Sequence, residues 1–203
     1  MLYEYLTENY KPNEPILLSD IDIPYTNGQL DKLCEDDKVK RFDKGVYYLP
    51  KKTRLPGGTL PSAESVAVKK YIKNKGQING YYSGFTFANW FGITTQVPFK
   101  LEIVTNNTDS ERSSTYIRNI EFVLKKPRVP VTNDNYKVLQ LLDLLSEIYT
   151  YSEGGLKSAA PRVRKYIKDE NIKCADVEKY LNAYPKELYK NMEDMKCFEE
   201  LRI

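Results

Sequence analysis

Histidine is absent from all 203 residues. That absence removes imidazole triads, the usual general base and the commonest transition-metal ligand together. It also leaves a cysteine nucleophile without its customary partner. Catalysis would have to run on carboxylates, lysine or tyrosine, so a binding or regulatory protein is expected rather than an enzyme, with no cofactor and no metal. Cysteine is scarce: Cys34, Cys174 and Cys197 are odd in number and share no Cys-x-x-Cys spacing. This argues against a disulfide framework or a zinc knuckle and fits reduced thiols in a cytoplasm. No apolar run approaches the ~20 residues that cross a bilayer. The opening Met1-Leu2-Tyr3-Glu4-Tyr5 lacks a basic region followed by an apolar one, so neither a signal peptide nor a membrane partner is expected.

Net charge is low as well, +3 by formal count, but its distribution is uneven. Residues 1–37 are acidic, with Glu4, Glu8, Glu14, Asp20, Asp22, Asp31, Glu35, Asp36 and Asp37 against Lys11 and Lys32. From Lys38 to Lys75 the balance reverses: Lys38, Lys40, Arg41, Lys44, Lys51, Lys52, Arg54, Lys69, Lys70, Lys73 and Lys75 face only Asp43 and Glu64. A local cationic stretch is what phosphate contact requires. It begins at a hairpin signal. Val39-Lys40-Arg41-Phe42 and Val46-Tyr47-Tyr48-Leu49 are β-prone runs joined by Asp43-Lys44-Gly45 and ended by Pro50, with the glycine suited to a left-handed turn position.

Ahead of the hairpin, Ser19 is placed to cap a brief turn over Asp20–Ile23, closed by Pro24. Thr26 or Asn27 is placed to cap a helix with Leu30, Leu33 and Cys34 on one face. Two short helices and a basic hairpin between Leu17 and Pro50 outline a winged helix-turn-helix. In such a unit the second helix enters the major groove and its early residues meet base edges. Asn27 and Gln29 suit adenine and Lys32 suits guanine, each good pair giving ~1–3 kcal/mol of discrimination. Thr26, Asn27, Gln29 and Lys32 on the helix, with Lys40, Arg41 and Lys44 on the hairpin, are therefore the candidate DNA-binding residues.

The stretch from Leu55 to Ser62, with Pro56, Gly57, Gly58 and Pro61, reads as a domain boundary. Ser62 then caps a helix running to about Lys75 and ended by Gly76. A small helix over Gly84–Phe91 follows, then strands over Lys100–Thr105, Thr115–Ile117 and Ile120–Lys125. After Asn133 the pattern is helical: Val138, Leu141, Leu142, Leu145 and Ile148 form one apolar stripe, Gly154-Gly155 breaks it, and Pro161 suits the first turn of the next helix. Two further helices are marked by Val177, Tyr180 and Leu181 and by Leu188, Met192, Met195 and Phe198. The whole predicts an α+β chain: a winged helix-turn-helix over 1–55, then a mixed α/β domain over 56–203 with a small antiparallel sheet and a helical tail over 133–203.

Phe42-Asp43-Lys44-Gly45-Val46-Tyr47-Tyr48-Leu49-Pro50 resembles the wing of the AbiEi-type antitoxins of type IV abortive-infection systems. Gly80-Tyr81-Tyr82-Ser83-Gly84, Gly92-Ile93-Thr94-Thr95-Gln96-Val97-Pro98 and Glu102-Ile103-Val104-Thr105 are similar to the second domain of that family's uncharacterised relatives. The likeness covers roughly Leu17 to Lys126. It implies a DNA-binding autoregulator whose winged helix binds inverted repeats in its own promoter. Its second domain would oppose a nucleotidyltransferase-like toxin, its functional partner. Paired half-sites favour a homodimer, and cooperative monomers would serve as well. The family usually has a glycine and basic residues between recognition helix and wing, where this chain has Glu35-Asp36-Asp37. Three acids there repel phosphate and favour contacts through the helix start and the wing.

Two other classes stand beside the regulator. The acidic helix and the helical tail suit a protein-interaction module whose winged helix no longer grips DNA. Asp109, Glu121 and Lys125, near expected strands, suggest a metal-dependent nuclease, although Glu121 and Lys125 lack the close Glu-x-Lys spacing such sites use.

Overall fold

Leu2 and Leu6 stand one helical turn apart and form the buried face of α1 (Leu2–Asn9), which ends ahead of Pro12. A computed structural model describes residues 1–51, 53 and 58–201. The chain divides into two compact units, Met1–Lys70 with Ile117–Asn119, and Tyr71–Tyr116 with Ile120–Ile203. The division falls between Lys70 and Tyr71. Of the loop in which the sequence places a boundary, residues 55–57 lie outside the described residues.

In the first unit α1 is followed by β1 (Ile16–Leu17), a 3-10 turn (Leu18–Asp20), α2 (Asn27–Glu35), β2 (Lys40–Asp43), β3 (Val46–Tyr48) and α3 (Ala63–Ala67). The sheet order is β1-β3-β2, antiparallel throughout, with Ile16 opposite Tyr47 and Lys40 opposite Tyr48. Leu2, Leu6, Ile16, Leu30, Val39 and Leu49 close its core. The helical turn expected over Asp20–Ile23 instead sits over Leu18–Asp20. Side chains of α1 and of Tyr10 just after it explain the shift. The Tyr10 hydroxyl donates to the Asp20 carbonyl (3.3 Å), and the Asp22 N–H donates to the Tyr5 hydroxyl (3.2 Å). Those backbone groups are satisfied without a helix.

The helix expected over Ser62–Lys75 is shorter than its pattern. Ser62 does cap it, its hydroxyl accepting from the Ser65 N–H at 3.0 Å. After Ala67 the backbone widens into a π-helical turn (Val68–Ile72), and β4 (Lys73–Asn74) pairs with β5 (Gln77–Ile78). The link between them, Lys75 and Gly76, has φ of 47° and 81°. A two-residue hairpin turn of that hand needs positive φ at both positions. Lysine in the first gives no such signal.

The second unit holds β6 (Gly80–Tyr82), α4 (Gly84–Phe91), β7 (Leu101–Thr105), β8 (Arg112–Ile117) and β9 (Ile120–Lys125), in the order β6-β7-β9-β8. α4, β7 and β9 lie where the sequence places them, whereas β8 starts three residues ahead of its expected Thr115. β6 runs antiparallel to β7, and β7 runs parallel to β9 with Leu101 opposite Phe122. Four consecutive buried residues, Glu121–Leu124, mark β9 as a strand covered on both faces. The parallel pair arises because the chain after β7 passes β9 to reach the far edge. Asn106 fixes that departure: its side-chain amide accepts from the Val131 N–H (2.9 Å) and donates to the Val131 carbonyl (2.8 Å), copying a ladder.

Helices α5 (Tyr136–Ser146), α6 (Ile148–Tyr151), α7 (Gly155–Asp169), α8 (Cys174–Glu178), α9 (Glu187–Asp194) and α10 (Cys197–Leu201) complete the unit, with a 3-10 turn over Leu181–Ala183. Leu139, Leu141, Leu142 and Leu145 are fully buried, so α5 is apolar almost all round. That is the mark of a helix enclosed by others, here α4, α8 and α9. Pro161 lies inside α7 rather than in its first turn. Its exposed ring forgoes one N–H bond, and burial of Ala159, Ala160, Val163 and Ile167 holds the helix together around it. The last expected helix is two, parted at Lys196 with φ 57°. Among the described residues no helix is long and apolar enough to cross a membrane.

Two expected outcomes follow from this packing. A Cβ on Gly80 would stand 2.4 Å from the carbonyl oxygens of both Tyr71 and Val104. Neither backbone can retreat alone, so Gly80→Ala should destabilise the second unit by about 3 kcal/mol. Trp90, the chain's single tryptophan, packs edge-on against Tyr82 and reports the loss by fluorescence in a denaturant titration. The loop after α4 is pinned by Glu153, whose carboxylate accepts from the Thr94 hydroxyl (2.7 Å), the Thr95 N–H (2.8 Å) and the Thr95 hydroxyl (3.0 Å). These bonds, the Thr94 hydroxyl first, hold the Glu153 carboxyl below its ordinary 4.5. The stabilisation is therefore present above 4.5 and lost as pH falls through the lower folded value. An NMR titration of the Thr95 amide should show a midpoint below 4.5, and a midpoint at or above it contradicts the clamp.

Candidate nucleic-acid interface

Thr26 occupies the N-cap of α2 and forms a reciprocal box with Gln29. The Thr26 hydroxyl accepts from the Gln29 N–H (3.3 Å), and the Gln29 side-chain carbonyl accepts from the Thr26 N–H (2.9 Å). Both side chains thus serve the helix start before they can serve a ligand. The acceptor half of Gln29, which a bidentate adenine contact would use, is committed to its own backbone. Asn27 is the first helical residue, and Thr26, Asn27, Gln29 and Lys32 are all exposed. Free N–H groups and the positive end of the helix dipole make that start suited to phosphate.

The other end of α2 accounts for the acids. Asp37 takes φ 55°. Its N–H reaches the Cys34 carbonyl (3.1 Å), and the Lys38 N–H reaches the Leu33 carbonyl (3.0 Å). This is a Schellman closure, in which the left-handed residue is most often glycine. Aspartate tolerates that left-handed backbone better than most residues. The acids are also partly matched, Lys38 lying 3.2 Å from Asp36 and Lys40 3.4 Å from Asp37.

In the hairpin, Arg41 pairs with Tyr47 and Asp43 with Val46, so Phe42 is an extra residue on β2, a bulge. The strand therefore includes Asp43, and the turn is Lys44-Gly45, with Gly45 at φ 71°. Arg41 and Lys44 are exposed, while Lys40 is half-buried. The Asp43 carboxylate accepts from the Lys44 N–H (2.7 Å), and the Arg41 Nε donates to the Asp43 carbonyl (3.4 Å). Burial and then the Asp31 charge push the Cys34 thiol up, and the Arg41 charge opposes them. The structure thus carries the exposed helix start and the hairpin cations in one unit.

Another cation of the basic stretch, Lys69, is engaged elsewhere. Lys69 is only 16% exposed, bound to Glu14 at 2.8 Å and lying over the Tyr10 ring at 4.9 Å. Lys52 and Arg54 lie outside the described residues. One cation escaped the sequence reading altogether: the Arg118 guanidinium donates to the Phe42 carbonyl (3.2 Å) and covers the Phe42 ring at 4.6 Å. Nothing local in Ile117-Arg118-Asn119 signals a partner 76 positions upstream.

The three residues considered for nuclease chemistry are not brought together as a set. Glu121 binds Lys100 (2.8 Å) and accepts from the Tyr116 hydroxyl (3.2 Å), Lys125 binds Glu102 (2.6 Å), and Asp109 is exposed in a loop. Nearby aromatics serve packing: Tyr81 is in the core, Phe85 stacks edge-on against Tyr151 and Trp90 against Tyr82. Among the described residues no three His, Cys, Asp or Glu side chains cluster as metal ligands.

The arrangement defines an α+β protein with an exposed, capped helix start and a basic hairpin in one unit. A family of unknown function, DUF6088, matches residues 21–149, and the chain belongs to that family. The matched span takes in α2, the hairpin, the two-stranded and four-stranded sheets and α5. No curated protein matches the chain.

Asp37→Gly should raise the stability of the first unit by up to about 1 kcal/mol, by relieving the left-handed backbone without losing the Schellman bonds. Denaturant unfolding followed by far-ultraviolet circular dichroism checks it. A destabilised variant would mean that the Lys40 ion pair outweighs the backbone term.

Proposed function

We propose that this chain is a DNA-binding transcriptional autoregulator of the AbiEi antitoxin type, with a winged helix-turn-helix in its first unit and no catalytic activity of its own. The observation that carries the reading is the exposure of Arg41 and Lys44 at the hairpin in the same unit as the exposed start of α2. A helix N-terminus and a pair of cations are two sequence-independent ways to hold a phosphate backbone. Asn27 and Lys32 are the side chains left to meet base edges. Lys40 contributes less, since Asp37 already draws on it. The likeness to antitoxins supplies the rest of the reading: a promoter with inverted repeats as ligand, a nucleotidyltransferase-like toxin as functional partner, and a cytoplasmic setting.

The exposed acids Asp31, Glu35, Asp36 and Asp37 favour a second reading, a protein-interaction module without DNA affinity. Titration of the native upstream duplex at several salt concentrations separates the two. Replacing Lys40, Arg41 and Lys44 together should flatten the log–log salt dependence by ~0.9 for each cation that touches phosphate. An unchanged slope removes the hairpin from the mechanism, and no binding by the wild-type chain at low salt favours the interaction module. Coexpression with the adjoining nucleotidyltransferase-like reading frame should relieve growth arrest if the antitoxin assignment holds.

A further inference from the structure

Phe42 is the extra residue of the β2 bulge, facing no residue of β3. A bulge of this kind locally disrupts the ladder and increases the twist of its strand. Here the Phe42 carbonyl is taken by an Arg118 guanidinium N–H at 3.2 Å. The same guanidinium lies 4.6 Å from the centroid of the Phe42 ring, and that residue is only 6% exposed. One planar cation thus holds both the backbone and the side chain of the bulged residue. Arg118 does this from φ 55° in the two-residue turn between β8 and β9. A left-handed arginine is a costly choice for a turn that glycine or asparagine would fill readily. Its neighbours in sequence, Ile117 and Asn119, group with the first unit as it does.

We infer that Arg118 is a positioning residue for the hairpin: it locks the Phe42 bulge and so fixes the direction in which Arg41 and Lys44 are presented to a duplex. Its role in binding rests on the regulator reading above; its hold on the hairpin does not. Arg118 is exposed and one of its five N–H donors serves Phe42, so the salt slope separates a hold on the hairpin from a direct phosphate contact. Arg118→Gly is the informative variant, since glycine accepts φ 55° and leaves the turn free to form. Arg118→Lys keeps the charge but loses the flat face.

The test is amide hydrogen exchange across residues 40–48 in the full chain, with anisotropy titration of the native upstream duplex against salt. In Arg118→Gly, exchange at the hairpin should quicken by about ten-fold. Duplex affinity should fall by a similar factor with the salt slope unchanged, and Arg118→Lys should rescue neither. Unaltered hairpin exchange in Arg118→Gly overturns the inference. So does a slope reduced by ~0.9, which would make Arg118 a phosphate ligand, or full rescue by lysine, which would make charge alone sufficient. If the wild-type chain binds no duplex, the regulator reading fails, and the exchange comparison still decides whether Arg118 holds the hairpin.

Discussion

The Phe42 carbonyl is the point on which the geometry of the first unit turns. A two-residue turn at Lys44-Gly45 and an offset of one residue between β2 and β3 leave Phe42 facing no residue of β3. A buried acceptor without a donor would be costly, and the donor comes from a turn far along the chain. Once it is satisfied, the bulge can persist, the Phe42 ring can stay in the interior, and the strands on either side can carry their cations outwards. Around this point α2 is fixed at both ends by bonds of different kinds, a side-chain box at Thr26 and a left-handed closure at Asp37.

Charge counted along a sequence differs from charge presented by a fold. Lys69 belongs to the cationic run, yet it is spent on Glu14 and the Tyr10 ring. Lys38 and Lys40 neutralise acids at the end of α2. What remains on the exposed hairpin is Arg41 and Lys44, with Lys32 on the helix. Exposed ion pairs contribute little to stability, so their main effect is electrostatic. They reduce both the attraction of the lysines and the repulsion of the acids.

Much of the fold was legible because it depends on local chemistry. The Thr26 cap, the Gly45 turn, α4 with Gly92 after it and the strands before and after residue 118 all follow from signals within a few residues of one another. The misplacements come from distant partners, from burial, and from a turn that its residue type does not announce. Tyr5 and Tyr10 satisfied backbone groups that a helical turn would have used. Lys75 entered a left-handed turn without the residue type that announces one. Pro161 was absorbed into a helix whose buried face outweighed one missing bond. The candidate site was legible to the same degree. Its residues on α2 and the hairpin are exposed, but Gln29 is half-committed to capping, and no spacing or composition points to Arg118.

The connection between the two units also has a topological consequence. The chain passes from the first unit to the second after Lys70, returns for Ile117–Asn119 alone, and leaves again. A fragment cut at the first crossing would keep every cation of the hairpin and both caps of α2, yet it would lack the guanidinium that closes the bulge. Truncation is thus a poor guide to what the amino-terminal part can do. A fragment that failed would not show that its surface was irrelevant, only that one of its structural residues is encoded elsewhere. Grafting the part intact calls for a discontinuous transplant.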